Sequence, residues 1–416
     1  MPTGCKVEIQ SRAEDVHLQV WTMWNGQEEK NILAVFARYH ELHPNIFIEN
    51  HGGLLDDTKT IRAIVANVPP DLCTLTDPLV LGPLAANNAL LPLDDLLNTE
   101  TYKESDFVPA SLKQCRFKGR LYAMPYLIDC TALFWNKKLF KEAGLDPERP
   151  PSTMEELQQY AKKLTKVENN EIAILGLQPL TDVMPILCVF GGRLTDPSEK
   201  NVTVNSEKMT EGMSWYLETV KAMGGYEKVN AFSSGFGQAQ SANNPFFVGK
   251  VAMMVSGEWI PFWTTKYSSN LDYGVAALPP PANHPERTGT TWLGGNMFAI
   301  PRASKHVKEA KEILIWMQSE EAQTLLAKLN NNVPNQLSVL GSPELRQGEP
   351  YKKKFSVFLD LAKSKNAEYF PAIPVSGLLN GELLNARDVV LNLEKSPKQA
   401  LNDTQARVQR ELGRYP

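Results

Sequence analysis

Cysteine is scarce in this 416-residue sequence: Cys5, Cys73, Cys115, Cys130 and Cys188 are all there is. That is too few for a disulfide scaffold, and no two are spaced CxxC for zinc or redox work. The last four sit in apolar or strand-like contexts, where buried free thiols are expected. Long apolar runs are missing too; Val183 to Phe190 is among the longest, far short of the ~20 residues that span a bilayer. Basic charge is not in excess, with Lys+Arg 43 against Asp+Glu 47 and a net charge of −4. Without a cationic surplus to release phosphate counterions, no nucleic-acid partner is expected. No GxxxxGK[ST] loop is present, Gly235-Phe236-Gly237 lacks both a third glycine and a preceding strand, and no GxSxG elbow occurs. Histidine is limited to six positions. His40-Glu41-Leu42-His43 falls one residue short of HExxH, and a solvated pair at a helix end is the expected reading. Asp77, Asp129 and Glu258 are carboxylates that an acid–base enzyme would need, but nothing in their spacing pairs them. These absences weaken the case for an enzyme without closing it; the expectation is a non-enzyme with no cofactor and no metal.

What is present is ordinary globular material. Apolar residues make up 43% and charged residues 22%, enough for a core in each of two or three domains. Val16 to Trp24 alternates and is rich in β-formers, so it reads as a strand broken by Asn25-Gly26. Ile32, Val35, Phe36, Tyr39 and Leu42 then lie on one helical face that Pro44 ends. Asn45–Glu49 predicts a second strand, Thr58–Val68 a second helix and Asp71–Leu75 a third strand. That order implies parallel βαβ units and an α/β architecture, with ligands bound beyond the carboxyl ends of the strands. Trp24 to Glu28 and Thr76-Asp77-Pro78 are thereby placed beside a crevice.

Further along, Phe117–Pro125 reads as a turn into a short strand, Ala132–Asn136 as a strand, and Lys137–Ala143 as a helix closed by Gly144. Ser152-Thr153-Met154-Glu155-Glu156 carries a capping-box signature for a helix running to about Lys166. Met209, Met213, Tyr216, Leu217 and Val220 mark another helix, Val251–Val255 a compact strand, and Tyr273–Leu278 a strand entering Pro279-Pro280-Pro281. Beyond Ser304, the expected N-cap, the chain is mostly helical with a break at Asn331–Asn335.

Six segments taken together resemble the maltose-binding-protein-like family of extracellular solute-binding proteins that serve ABC importers. They are Val20-Trp21-Thr22-Met23-Trp24-Asn25-Gly26 with its helix and Pro44; Pro70-Asp71-Leu72 with Asn88 to Leu97; Lys118-Gly119-Arg120-Leu121-Tyr122-Ala123-Met124-Pro125 with Ala132 to Phe140 and Ala143-Gly144; Phe247 to Met254 with Ser256-Gly257-Glu258-Trp259; Tyr273 to Pro279; and Trp292-Leu293-Gly294-Gly295-Asn296 through Pro301. Each is weak alone, but they follow the family's order across nearly the whole chain.

The resemblance implies an α/β, two-lobed periplasmic-binding-protein-like fold with discontinuous lobes and an interlobe ligand cleft. Its expected divisions are a tether at 1–15, an N-terminal lobe of 16–127 plus 285–332, and a C-terminal lobe of 128–284 plus 333–416. The crossings fall near Leu127–Thr131, Pro281–Pro285 and Asn331–Ser338. By the same resemblance the chain is an extracytoplasmic, monomeric receptor in the periplasm or at the cell surface. It would capture a neutral carbohydrate by hinge closure and pass it to a membrane permease. Gly4-Cys5 resembles the end of a lipoprotein signal, but Pro2 stands where Leu is usual and no apolar run precedes it. A lipid anchor at Cys5 and an ordinary terminal cysteine both remain open.

A pyranose offers an apolar C–H face and a polar rim, so aromatic rings with amides and carboxylates suit it. The resemblance places Trp259 as an aromatic platform with Glu258 beside it, and Asp129 as a cleft carboxylate just after the first crossing. Trp24, Asn25, Gln27 and Glu28 form the first loop, against the plainer reading of a helix cap. Thr76 and Asp77 follow the third strand, with an N-cap as the alternative. Trp292, Gly294, Gly295 and Asn296 form a loop whose missing side chains admit backbone N–H groups to a ligand. Tyr126, Gln178 and Asn380 complete the set, while Trp135, Trp215, Trp263 and Trp316 are assigned to packing. The alternatives are the same fold holding a polyol, glycerophosphodiester or peptide, a carbohydrate-active enzyme with two carboxylates, and an intracellular interaction protein.

Overall fold

The computed structural model of the chain describes residues 15–54, 56–75, 78–236, 241–347 and 350–415. Cys5, the tether up to residue 14, and Thr76 and Asp77 lie outside the described residues.

Val16–Trp21 forms a strand that pairs in parallel with Ile46–His51 on one side and Leu72–Leu75 on the other. Its alternation puts Leu18 and Val20 in the core. The helix between them, Gly26–Leu42, buries Ile32, Val35, Phe36 and Tyr39 against this sheet. Leu42, expected on the same face, is exposed, because it sits at the fraying last turn. The strand ends three residues earlier than the alternation suggested, since the chain bends at Met23 and Trp24 lies in the core. A late segment, Met297–Ala299, inserts antiparallel between Leu72–Leu75 and Met124–Pro125 and completes a five-stranded sheet.

A second, seven-stranded sheet is built on the long strand Asp129–Asn136, which pairs with Val251–Gly257, Tyr273–Ala276 and Thr291–Gly294. Ala367–Tyr369 extends one end, and Glu171–Leu177 with Lys166–Glu168 the other. Helix Met154–Leu164 starts as its capping signature predicted: the Thr153 hydroxyl accepts from the Glu156 N–H, and the Glu156 carboxylate accepts from Ser152 N and Oγ. Trp135 and Trp215 are buried, each indole N–H donating to a backbone carbonyl, of Pro147 and Met154.

The two sheets have separate apolar cores. One gathers residues between Leu18 and Leu127, then Met297 to Leu326, with Ala372. The other gathers Val108, Ala110, Ile128 to Leu293 and Ala327 to Leu412. The chain passes from one core to the other between Leu127 and Ile128, returns between Leu293 and Met297, and leaves again across 327–333. An Ile128–Val333 bridge ties the first and third passages. The return lies later than the proline-rich stretch had suggested. Thr291–Gly294, assigned from sequence to the first lobe, pairs instead with Cys130 and Asp129 in the second sheet. Ser304 is also corrected. The helix starts at Val307 after His306, and the Ser304 hydroxyl joins the N–H groups of Lys305 and His306 on the Asp71 carboxylate.

Candidate functional site

The three passages converge on one polar cluster. Asp129 opens the long strand directly opposite Gly294 of the second passage. Glu258 follows Val251–Gly257 and is 0% exposed. Its Oε2 accepts from the Cys130 N–H at 3.1 Å and its Oε1 from Asn332 Nδ2 of the third passage at 2.9 Å. Its side chain also hydrogen-bonds Asp129. Burial first, then the neighbouring Asp129 charge, pushes the Glu258 carboxyl well above the ordinary carboxylate range. Asp129 is raised as well, by burial, with its bond to Glu258 acting the other way. Two carboxyls in contact cannot both ionise cheaply.

Glu28 faces this pair from the first turn of helix Gly26–Leu42. Its residue is exposed to solvent, yet its carboxyl is raised by burial and then by Asp129. Asp129, too, keeps part of its surface open. Carboxyls that water reaches while protein mass surrounds them line a concave wall rather than a convex surface. Asn25 heads the same helix in an extended conformation without making a side-chain cap bond, so the plainer helix-capping reading does not account for its amide. Gln27 donates to Asn31 at 3.0 Å, and Asn31 in turn donates to Leu329 O and Asn330 Oδ1.

Trp259 is half-buried against the second core and lies across Gly257, where a Cβ would meet the indole ring at 2.1 Å. Its indole N–H is enclosed and has no hydrogen-bond partner. Gly294 has open space where its Cβ would be, on the sheet face that Asp129 shares. Gly295 has φ +132°, and a Cβ there would sit 2.1 Å from the Leu127 carbonyl oxygen. Its glycine is thus required by the passage of one strand over another, not by a ligand. The Asn296 carbonyl accepts from Tyr126 N at 2.9 Å and Leu127 N at 3.3 Å.

Several expected site residues lie elsewhere. Trp24 is 4% exposed and Tyr126 1%; with Phe298 they form an edge-to-face cluster inside the first core, ring centroids 4.9–6.2 Å apart. Aromatics so enclosed have no face left to offer a sugar, so both are corrected to packing residues. Gln178 lines a cavity of about 280 Å³ in the second lobe with Tyr216, Phe232 and Arg387. Trp292 lines a different cavity of about 480 Å³, among Lys113, Arg116, Arg193, Glu199 and Tyr369, and meets Phe370 edge-on. Asn380 is half-buried in helix Ser376–Leu391. That helix packs against Pro78–Val80 of the first lobe. His40 bonds Ile46 O at 2.7 Å and His43 stacks on Tyr39, so the histidine pair is structural. Asn332 was missed; it stands in the Asn331–Asn335 break, which reads as a mere interruption until the fold brings it to Glu258.

The comparisons with known proteins agree with this architecture. The model of the bacterial extracellular solute-binding protein family matches residues 25–324. The arabinooligosaccharide-binding protein of Bacillus subtilis is 24% identical over 418 residues, spanning 96% of this chain and 93% of its own. The maltotriose-binding protein of Pyrococcus abyssi is 24% identical, spanning 92% and 78%. Among solved structures, CpMnBP1 with mannobiose bound superposes with a TM-score of 0.81 at 30% identity, over 95% of this chain and all of that one. The chain belongs to the bacterial extracellular solute-binding proteins, a family of extracytoplasmic receptors.

Proposed function

We propose that this protein is the receptor of an ABC importer, capturing a neutral oligosaccharide between its two lobes and delivering it unchanged to a membrane permease. The observation that carries the reading is the wet yet enclosed carboxyl wall of Glu28 and Asp129 where three chain passages meet, in hydrogen-bond contact with Glu258, the residue before half-buried Trp259. Ionised Asp129 accepts from sugar hydroxyls, Trp259 packs on a pyranose face, and Asn25 and Gln27 complete the polar rim. Relatives named for arabinooligosaccharide, maltotriose and mannobiose support the ligand class.

The lobes in this reading are 16–127 plus 295–326, and 128–294 plus 327–415. Because so few strands join them, a saccharide that touches both lobes shifts the population toward the closed form. The closed form, seen by the permease, is the signal of loading. The protein acts as a monomer. Cys5 is the residue that would carry a lipid anchor, and mass spectrometry of the native N-terminus tests that attachment.

The contact between Asp129 and Glu258 does not suit these two as a glycosidase pair. Glycosidases hold their two carboxyls about 5–5.5 Å or about 6.5–9.5 Å apart. Asp129 and Glu258 are in direct hydrogen-bond contact, with Glu258 shut off from water. Titration calorimetry with mannobiose, maltotriose and arabinotriose, followed by chromatography of the sugar, tests the proposal. Saturable binding of at least one sugar, recovered intact, is expected; shortened products would assign an enzyme instead, and no binding would remove the sugar reading.

A further inference from the structure

We propose that Glu258 is a positioning residue that remains a neutral acid in the folded protein, donates its proton to Asp129, and thereby fixes the three interlobe passages around an acceptor that selects hydroxyl-bearing ligands over anions. The ligand half of this inference rests on the receptor reading; the proton half does not.

The geometry leaves Glu258 little choice. Its oxygens accept N–H groups from Cys130 and Asn332, which act toward ionisation, but it is fully buried and in hydrogen-bond contact with a second carboxyl, Asp129, and these outweigh them. A proton must lie between the two. Asp129 keeps contact with solvent and Glu258 has none, so hydration favours charge on Asp129 and the proton on Glu258.

Helix Gly26–Leu42 contributes Glu28, another acid. The long strand contributes the Cys130 thiol, close enough to feel both carboxyls. The strand Thr291–Gly294 contributes the Thr291 hydroxyl, and the third passage the Asn332 amide. Among the described residues, burial and carboxyl groups act on Glu28 and Asp129, without a Lys, Arg or His. At this wall a ligand anion would therefore meet two acids, whereas a hydroxyl would find acceptors.

The arrangement also explains why the passages hold a fixed relation. Asp129 and Cys130 belong to the first, Gly294 lies opposite Asp129 in the second, and Asn332 belongs to the third. All are tied through one protonated side chain. Removing its proton places two adjoining negative charges at the pivot, which pushes the passages apart and misplaces Asp129.

The test uses the full chain and has two readouts. Carbon-13 NMR of carboxyl-labelled glutamate, on ligand-free wild type and Glu258→Gln from pH about 5 to about 9, reads the proton directly. One glutamate signal is expected to stay protonated through neutral pH and to be missing from the variant. Glutamates that are all ionised at neutral pH would overturn the proposal. Calorimetry with mannobiose over the same range reads the consequence. Wild-type affinity is expected to fall at alkaline pH, by up to about tenfold per unit once Glu258 ionises. Glu258→Gln cannot ionise, and its amide nitrogen takes the place of one of the two oxygens that accept from Cys130 and Asn332, so it is expected to bind more weakly than wild type at neutral pH but to lack the alkaline fall. An identical alkaline fall in the variant overturns the role assigned to Glu258, and so does equal affinity for a uronate analogue of mannobiose. Failure of mannobiose to bind wild type at any pH counts against the receptor reading, while the carboxyl signal still decides where the proton sits.

Discussion

Two adjacent glycines separate the demands of the hinge from those of the ligand. At Gly295 an alanine would have to hold φ +132°, a region that costs an L-residue about 1–3 kcal/mol, and its Cβ would lie 2.1 Å from the Leu127 carbonyl oxygen. Relieving that overlap means pulling the second passage off the first. The bonds from Tyr126 N and Leu127 N to the Asn296 carbonyl, 2.9 and 3.3 Å, would then stretch, at about 1 kcal/mol each. Gly295→Ala should therefore lose about 3 kcal/mol or more in urea unfolding followed by tryptophan fluorescence. Gly294→Ala is the control: its Cβ enters open space, so stability should change by less than about 0.5 kcal/mol or rise slightly. That methyl stands beside Asp129, so saccharide affinity should fall instead. A Gly295→Ala protein within about 0.5 kcal/mol of wild type would refute the account of how the passages cross.

Other substitutions sort platform from core. Trp259→Ala should weaken saccharide binding by about 2 kcal/mol in calorimetry, whereas Trp24→Ala should cost about 3–5 kcal/mol of stability through its place beside Tyr126 and Phe298. The reverse pattern would exchange their roles. The raised Glu258 carboxyl means that the folded chain binds more protons than the unfolded chain above the ordinary carboxylate range. Its contribution is thus most favourable near or below the ordinary value of 4.5, and declines as pH climbs toward the folded value. The slope reaches at most about 1.4 kcal/mol per pH unit. Stability of Glu258→Gln relative to wild type should rise with pH over that window in denaturant titrations, and a constant difference would contradict it. Cys73, Cys115, Cys130 and Cys188 are buried free thiols whose ionisation burial suppresses. A thiol reagent should reach them only after unfolding, so rapid labelling of any of the four in the native protein would count against the packing described.

The alternating strand at Val16, the apolar helix face ending near Leu42 and the capping box at Thr153 are local patterns, and local patterns survive in a single sequence. The two-lobed architecture was legible through the ordered set of family-like segments. The exact return passage was not, because Pro279-Pro280-Pro281 looks like a boundary while the strand pairing of Leu293 with Cys130 is a long-range fact. The same limit governs the site. Asp129 and Glu258 stood out by resemblance, and the fold brings these two into contact. Trp24 and Tyr126 stood out for the same reason, yet past the bend at Met23 Trp24 packs against Phe298, a partner far along the chain. Asn332 carried no signal, since an asparagine in a loop acquires meaning only when Glu258 arrives beside it.

Small-angle scattering on the full chain, with and without mannobiose, maltotriose or arabinotriose, asks most directly whether the lobes close on a sugar. The account predicts that a sugar bound by calorimetry reduces the radius of gyration of wild type, and that Asp129→Ala at the same sugar concentration keeps the unliganded value. A bound sugar that leaves the scattering curve of wild type unchanged would contradict it.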